Sequence, residues 1–543
     1  MNGSDAMAKS LLNEGVDTIF GYSGVAIDPF WNSMRKTDIK QVLVRTEQNA
    51  GHAASGYART SGKVGVCAVT SGPGATNLLT GIATAFADSI PLVCITGQVD
   101  SELLGSDVFQ EVDVTGAAES FVKYSYLIKD VKDIPRVFHE AFYVANTGRR
   151  GPVLIDVPID IQMKRIPDYD EPEGDPKMRT YKPTVKGNSV QIKKVVKVLE
   201  SAKKPLICCG GGVILSGGTE ELKTFAERHS IPVVSTMMGI GTLESDHPMY
   251  YGMVGNNGHA LANRAMRECD TLIMVGARVA DRAVSSPDLT LEGKVLIHMD
   301  VDPAEIGKNV GSTIPIVGDA KTIFDEFLTV DFECKHEKWI ATLEEYRESI
   351  HEERPNNPDY VNPTEFVRKL SLAMEEDGIY VADVGQNQLF SCRNVIIRKG
   401  KFLTSGGMGT MGYSIPAAMG AKAAAPDRQV VAVCGDGSFQ MSMMELATAN
   451  QFDLPLKIVV MRNGFLGLVR EHQHFAYHDD YNMVDLGMDP DLNMLSKAYH
   501  IDYFRLENME GLDSTLKDFL DDGNSAILEI LIDPMETVVQ RHS

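Results

Sequence analysis

The apolar runs of this chain are continuous and short, and helical stretches separate them. Examples are "PLVCITG" (91–97), "PLICCGGGV" (205–213), "TLIMVGAR" (271–278), "QVVAVCGDGSF" (429–439) and "LKIVVMRN" (456–463). A strand with one wet face alternates apolar and polar residues, whereas a continuously apolar strand is covered on both faces. Helices on both sides of a parallel sheet provide that cover, and the pattern recurs along the whole chain. The sequence therefore predicts an α/β protein of doubly wound parallel sheets.

At 543 residues the chain exceeds what one core can hold. Two stretches poor in apolar periodicity divide it: the Pro-rich, charged residues 163–183, and residues 352–366, which follow a charged helical stretch from Lys335. The expected domains are 1–165, 184–330 and 360–543, each of ordinary size. A formal charge of -22, with no basic block to offset it, argues against nucleic acid and anionic membrane as partners. No apolar run reaches the length of a bilayer span, and the N-terminus lacks a signal-peptide pattern. The cytoplasm is thus the expected compartment. The eight cysteines lack metal-ligand spacing and read as reduced core residues.

The most informative segment is residues 430–467. A strand ends at Gly435-Asp436-Gly437-Ser438, a helical stretch carries the chain back, and a second strand, 456–461, ends just before Asn463. In a right-handed parallel crossover both Asp436 and Asn463 lie at strand carboxyl ends, where α/β sheets bind ligands. A carboxylate, an amide oxygen and the main-chain oxygen of Phe465 suit Mg²⁺, which takes hard oxygen ligands and completes its shell with phosphate and water. The backbone N–H groups of Gly437 and Ser438 are placed to face a phosphate. Taken alone, Gly-Asp-Gly is common turn chemistry; the paired strand ends and the distant asparagine favour the metal. Glu47 poses a similar question, because it follows the apolar Val42-Leu43-Val44 and precedes a small-residue helix. From residues 44–59 alone, a helix cap or surface glutamate is as good a reading as a catalytic one.

The Gly-Asp-Gly…Asn arrangement, with Glu47, resembles the thiamine diphosphate enzymes. "SGPGATN" (71–77), "FQEVD" (109–113), "RRGPVLIDVP" (149–158), "DVDPAEIG" (300–307), "TSGGMGTMGYSIPAAMGAK" (404–422) and "GDGSFQMSMMELATA" (435–449) resemble the catalytic subunit of biosynthetic acetolactate synthases. The resemblance implies Mg²⁺ ligation by Asp436, Asn463 and Phe465, with Gly385, Gln386, Gly437 and Ser438 holding the diphosphate. It implies that Met411 packs beneath the cofactor rings and that Glu47 activates the aminopyrimidine; without the resemblance, Met411 would read as core. It also implies a homodimer or dimer of dimers with sites between subunits, and a regulatory small subunit. In the middle segment Gly211, Gly212, Thr236, Gly276 and Arg278, with Arg149, resemble positions that hold a structural FAD. Val279-Ala280 and Asn256-Asn257 depart from that pattern, and a flavin-free domain using these glycines as turns is the alternative.

The activity implied is a carboligase that decarboxylates pyruvate or a related 2-oxo acid and couples the fragment to a second 2-oxo acid. The alternatives are a 2-oxo acid decarboxylase or a carboligase with another acceptor. Gln110 and Phe109 match residues of the family's substrate region, and Leu468 belongs to the same pocket. Val25, Ile159 and His472 stand where the family has a small residue, a lysine and a tryptophan, and Asn387 stands in place of a histidine. Several such changes around one pocket suggest an altered donor or acceptor; a divergent acetolactate synthase is the preferred reading, because pocket residues change more readily than cofactor machinery.

Overall fold

The computed structural model describes residues 1–543 except 281–291, 312, 351–356, 489, 522 and 539–543. Its strands form three six-stranded sheets in which every pairing is parallel. The first contains β1 (Thr18–Tyr22), β2 (Lys40–Leu43), β3 (Gly65–Val69), β4 (Leu92–Gln98), β5 (Tyr124–Leu127) and β6 (Pro152–Pro158), in the order β2-β1-β3-β4-β6-β5. The second contains β7 (Pro205–Cys209), β8 (Val233–Ser235), β9 (Tyr250–Met253), β10 (Thr271–Val275), β11 (Val295–Asp300) and β12 (Ile314–Val317), in the order β12-β11-β10-β7-β8-β9. The third contains β13 (Ile379–Ala382), β14 (Lys401–Thr404), β15 (Val430–Gly435), β16 (Lys457–Arg462), β17 (Asp502–Leu506) and β18 (Ala526–Leu531), in the order β14-β13-β15-β16-β18-β17.

The central strands β3, β4, β6, β7, β10 and β13 are buried along their whole length. Helices cover both faces, as continuous apolarity requires. The doubly wound α/β architecture expected from the sequence is the one observed. β15 and β16 each run one residue further than the apolar pattern alone indicates. All eight cysteines are buried and free.

The second sheet has the 3-2-1-4-5-6 order of dinucleotide-binding folds, with its switch point between β7 and β10. The first and third sheets share a different order, with switch points at β1/β3 and β13/β15. One hydrophobic core joins these two: Val42, Ala53 and Tyr57 of the first pack with Tyr413, Ala417 and Ala432 of the third. At its centre the helix Glu47–Ser61 crosses the helix Ser414–Ala424 with the backbones in contact. A Cβ on Gly56 would lie 1.9 Å from the Ala417 carbonyl oxygen, and one on Gly420 would lie 1.8 Å from that of Ala53. Only glycine permits this approach.

Candidate active site

At the β13/β15 switch point a cavity of about 200 Å³ opens where open α/β sheets bind ligands. Gly385 and Gln386 reach it from the end of β13, and Asp436, Gly437 and Ser438 from the end of β15. Asn463, Phe465 and Leu468 reach it from beyond β16, and Met411 forms another wall. The loop after β16 wraps around Asp436, whose Oδ2 accepts the backbone N–H groups of Asn463 (3.0 Å) and Gly464 (2.6 Å). Asn463 Oδ1 accepts the Phe465 N–H at 3.0 Å, and its Nδ2 donates to Gln386 Oε1 at 3.2 Å. These bonds hold the Asp436 carboxylate, the Asn463 amide and the Phe465 backbone together at one side of the cavity. Among the described residues no cluster of three His, Cys, Asp or Glu side chains forms a metal cage. A divalent ion held by oxygens of this kind would complete its shell with water or phosphate, as Mg²⁺ ordinarily does. A Cβ on Gly437 would meet Leu466 at 2.9 Å and Met411 at 3.6 Å, so glycine lets these side chains close on the Asp436 turn. The Gly437 N–H itself donates to Asp436 Oδ1 at 2.9 Å.

Two buried acids that the sequence reading passed over brace this cavity. Asp383, just beyond β13, is fully buried; desolvation raises its pKa, and hydrogen bonds from Ser414 and other neighbours partly offset the rise. It accepts the N–H groups of Gly412 (2.9 Å) and Ser414 (2.8 Å), which fixes the turn beside Met411. Glu471, on the helix Gly467–Tyr477, accepts Gln386 Nε2 at 2.8 Å and the Val538 N–H at 3.0 Å. It thereby ties the end of the described chain to the cavity wall. An acid at the end of an apolar strand, the signal that singles out Glu47, also marks Asp383; nothing local marks Glu471.

Glu47 is the first residue of its helix, after β2. Asn77 Nδ2 donates to its Oε2 at 3.1 Å, and its Oε1 lies 3.3 Å from where a Cβ on Gly74 would stand. Gln110 packs against Gly72, with its own backbone at φ +62°, a conformation that non-glycine residues rarely adopt. Glu47, the 72–77 turn and Gln110 therefore share the β1/β3 switch. Val25 (79% exposed) follows β1, Phe109 (86% exposed) precedes Gln110, and Ile159 follows β6. His472 is exposed on the third domain. Of the five substrate-pocket residues only Leu468 lines the β13/β15 cavity, all of whose lining residues lie between 384 and 532. Within one chain the Glu47 group and the Asp436 group are separate.

A second cavity, also about 200 Å³, lies at the β7/β10 switch. It is lined by all six residues singled out for a flavin: Arg149, Gly211, Gly212, Thr236, Gly276 and Arg278. Asn257 and Ala280, two of the departures from the family pattern, line it as well; Asp281 and Arg282 of the same motif lie outside the described residues. Arg149 is paired with Asp302 (3.2 Å) and Glu305 (3.1 Å), and Arg278 donates to the Ala87 carbonyl. Arg150, which the sequence reading missed, lines the same cavity and makes no hydrogen bond or ion pair among the described residues. Burial lowers its pKa, with Asp319 opposing. Burial also pushes the Asp300 carboxyl, at the end of β11, up to about 6.

Three sheets of this kind, with cavities at the β7/β10 and β13/β15 switch points, define a multidomain doubly wound α/β protein. Residues 1–117 match the thiamine pyrophosphate enzyme N-terminal TPP binding domain, 192–327 the thiamine pyrophosphate enzyme central domain, and 383–530 the thiamine pyrophosphate enzyme C-terminal TPP binding domain. The chain belongs to the thiamine pyrophosphate enzymes, and thiamine diphosphate is its cofactor. Within that family it is 41% identical to the probable acetolactate synthase large subunit of Methanocaldococcus jannaschii, over 99% of this chain and 93% of that protein. It is 39% identical to the acetolactate synthase large subunit of Lactococcus lactis (99% and 94%) and 38% identical to that of Haemophilus influenzae (99% and 96%). Among the described residues no helix is long and apolar enough to cross a membrane.

Proposed function

We propose that this chain is the catalytic chain of a thiamine diphosphate-dependent carboligase of the acetolactate synthase type. It decarboxylates pyruvate or a related 2-oxo acid and joins the two-carbon fragment to a second 2-oxo acid. The observation that carries the reading is the wrap of residues 463–465 around Asp436, in a chain that aligns with acetolactate synthases along almost all its length. Asp436, Asn463 and the Phe465 carbonyl hold Mg²⁺; Gly385, Gln386, Gly437 and Ser438 receive the diphosphate, and Met411 supports the rings. Bound thiamine diphosphate supplies the carbon that takes up the donor and the electron sink for decarboxylation.

Glu47 activates the aminopyrimidine. Asn77 Nδ2 donates to its Oε2 and fixes the orientation of the carboxyl group. Gln110, with Phe109 beside it, faces the substrate on the same side, and Val25, Ile159, Leu468 and His472 shape the donor and acceptor space. Because the Glu47 and Asp436 groups are separate within one chain, a working site forms where two copies meet, in a homodimer or a dimer of dimers. The exposure of Val25 and Phe109, large apolar side chains beside the Glu47 group, supports such a contact. Domain 1–165 then contributes the glutamate and 360–543 the metal and diphosphate site.

Domain 184–330 contributes a structural FAD. Its sheet order, its glycine-lined cavity and the unpaired Arg150 fit a dinucleotide's phosphates. Relatives described as large subunits support a smaller regulatory chain as a further partner. Eight free, buried cysteines fit a reducing compartment such as the cytoplasm.

The test is product analysis of purified protein with thiamine diphosphate, Mg²⁺ and pyruvate, alongside Glu47→Gln. Acetolactate is the expected product, with a loss of at least about 100-fold in the variant, the scale of a general acid–base contribution. Acetaldehyde would indicate a decarboxylase instead, and unchanged activity in Glu47→Gln would refute the role given to Glu47.

A further inference from the structure

Glu445 is completely buried in the interface between the first and third domains. It opens the helix Glu445–Gln451, which follows the helix Asp436–Ser442, so it is tied rigidly to the strand end that carries Asp436. Its Oε1 accepts the backbone N–H of Arg45 and Nδ2 of Asn49, both at 2.9 Å. Its Oε2 accepts the Thr448 hydroxyl at 2.6 Å. Arg45 and Asn49 stand two residues before and two residues after Glu47. A guanidinium N–H of Arg45 also donates to Gln451 Oε1 at 2.7 Å, one helical turn and a half further along the same helix.

The turn that presents Glu47 needs this external hold. Thr46, the N-cap of the Glu47 helix, makes no side-chain capping hydrogen bond, although capping is the usual way to fix a helix entry. A carboxylate buried this deeply is tolerable only when donors compensate its desolvation, and here three do. Two of the three come from the Glu47 turn.

We propose that Glu445 is a positioning residue for Glu47: from the metal-bearing domain it grips both sides of the turn and sets where the Glu47 carboxyl stands. The assignment rests on the role given to Glu47 above. If sites form between two copies, Glu47 and Asp436 of one chain serve different sites, and Glu445 joins those two sites mechanically within the chain.

The test compares Glu445→Ala, Glu445→Gln, Asn49→Ala and Glu47→Gln in the full-length holoprotein. Two readouts are needed: hydrogen–deuterium exchange at C2 of bound thiamine diphosphate by NMR, and the thiamine diphosphate Kd in Mg²⁺ by intrinsic fluorescence. Glu445→Ala is expected to slow C2 exchange about 100-fold, the cost of misplacing a catalytic group by about 1 Å, while the Kd stays within about threefold. Glutamine keeps an acceptor for Arg45 and Asn49 and can donate to Thr448, so Glu445→Gln should retain exchange within about fivefold. Asn49→Ala should fall between the two. Wild-type exchange in Glu445→Ala, even with lowered thermal stability, would overturn the proposal, as would equal loss in Glu445→Gln and Glu445→Ala. Wild-type exchange in Glu47→Gln would instead refute the role of Glu47 itself.

Discussion

The crossing of the helices Glu47–Ser61 and Ser414–Ala424 makes a sharp prediction for Gly56→Ala. The added Cβ would stand 1.9 Å from the Ala417 carbonyl oxygen, with the Ala417 carbonyl carbon at 2.6 Å and its Cα at 2.8 Å. Ordinary contact begins near about 3.4 Å, so the helices must part by about 1.5 Å. All three obstacles are backbone atoms, which cannot rotate aside. Overpacking of this kind costs about 1–3 kcal/mol, and the rigid obstacle argues for the upper end. Against it stands the better helix propensity of alanine, about 1 kcal/mol. The net expectation is a loss of about 2 kcal/mol. Thermal denaturation should show the first unfolding transition lowered by several degrees. Because Glu47 begins the same helix, C2 exchange should slow as well. Gly420→Ala meets the Ala53 carbonyl oxygen at 1.8 Å, and the same parting relieves both clashes. The double variant should therefore lose less than the sum of the two singles. Unchanged or raised stability in Gly56→Ala would refute the argument that this close approach holds the first and third domains together.

Two further expectations concern the buried acid of the first sheet and the middle domain. Asp156, on β6, has its carboxyl pushed up to about 7 by burial, partly opposed by hydrogen bonds from Thr96 (2.6 Å) and Gln98 (3.0 Å). Its folded pKa exceeds its unfolded one, so the stability it contributes is full below about pH 4 and lost as pH rises toward 7. Urea midpoints of the wild type should fall across that window, and Asp156→Asn should flatten the fall; an unchanged slope would remove Asp156 as its source. In the middle domain, the purified protein should show flavin absorbance, and Arg150→Ala should lower flavin retention on gel filtration about tenfold, the scale of one charge-assisted hydrogen bond. Equal retention would leave Arg150 without a role there.

What could be read from the sequence was what is local in it. Continuous apolar runs announced the covered parallel sheets, and Asp436 and Asn463 stood out because two strand ends of one crossover unit must lie side by side. The chemistry of their side chains then suggested a metal. Asp383 carries the same strand-end signal as Glu47, but Glu445 and Glu471 were hidden because each acts across the chain. Glu445 lies 400 residues from Arg45, and Glu471 lies 85 from Gln386. No spacing rule links such pairs; only the tertiary fold does. Grouping Val25, Phe109 and Ile159 with Leu468 and His472 relied on the family's pocket, and a single chain places the first three on one domain and the last two on another.

The first and third sheets share one strand order, and the helices that cross between them occupy equivalent places, each following the second strand of its sheet. Their contact is reciprocal: Gly56 meets Ala417 and Gly420 meets Ala53, the two contact positions on each helix being three apart in sequence. Such self-complementary contact is the mark of a two-fold relation, here within a single chain. Counting back nine residues from each crossing glycine gives Glu47 (56 − 9) and Met411 (420 − 9). In the proposed site these are the two side chains that meet the aminopyrimidine, one as acid and one as apolar support. Each is held from a buried carboxylate, Glu47 through the bonds of Glu445 to Arg45 and Asn49, and Met411 through the grip of Asp383 on Gly412 and Ser414. The symmetric packing gives the two positions equivalent places in the fold, and in the proposed site the carboxyl group at one and the thioether at the other divide the chemistry between the two domains.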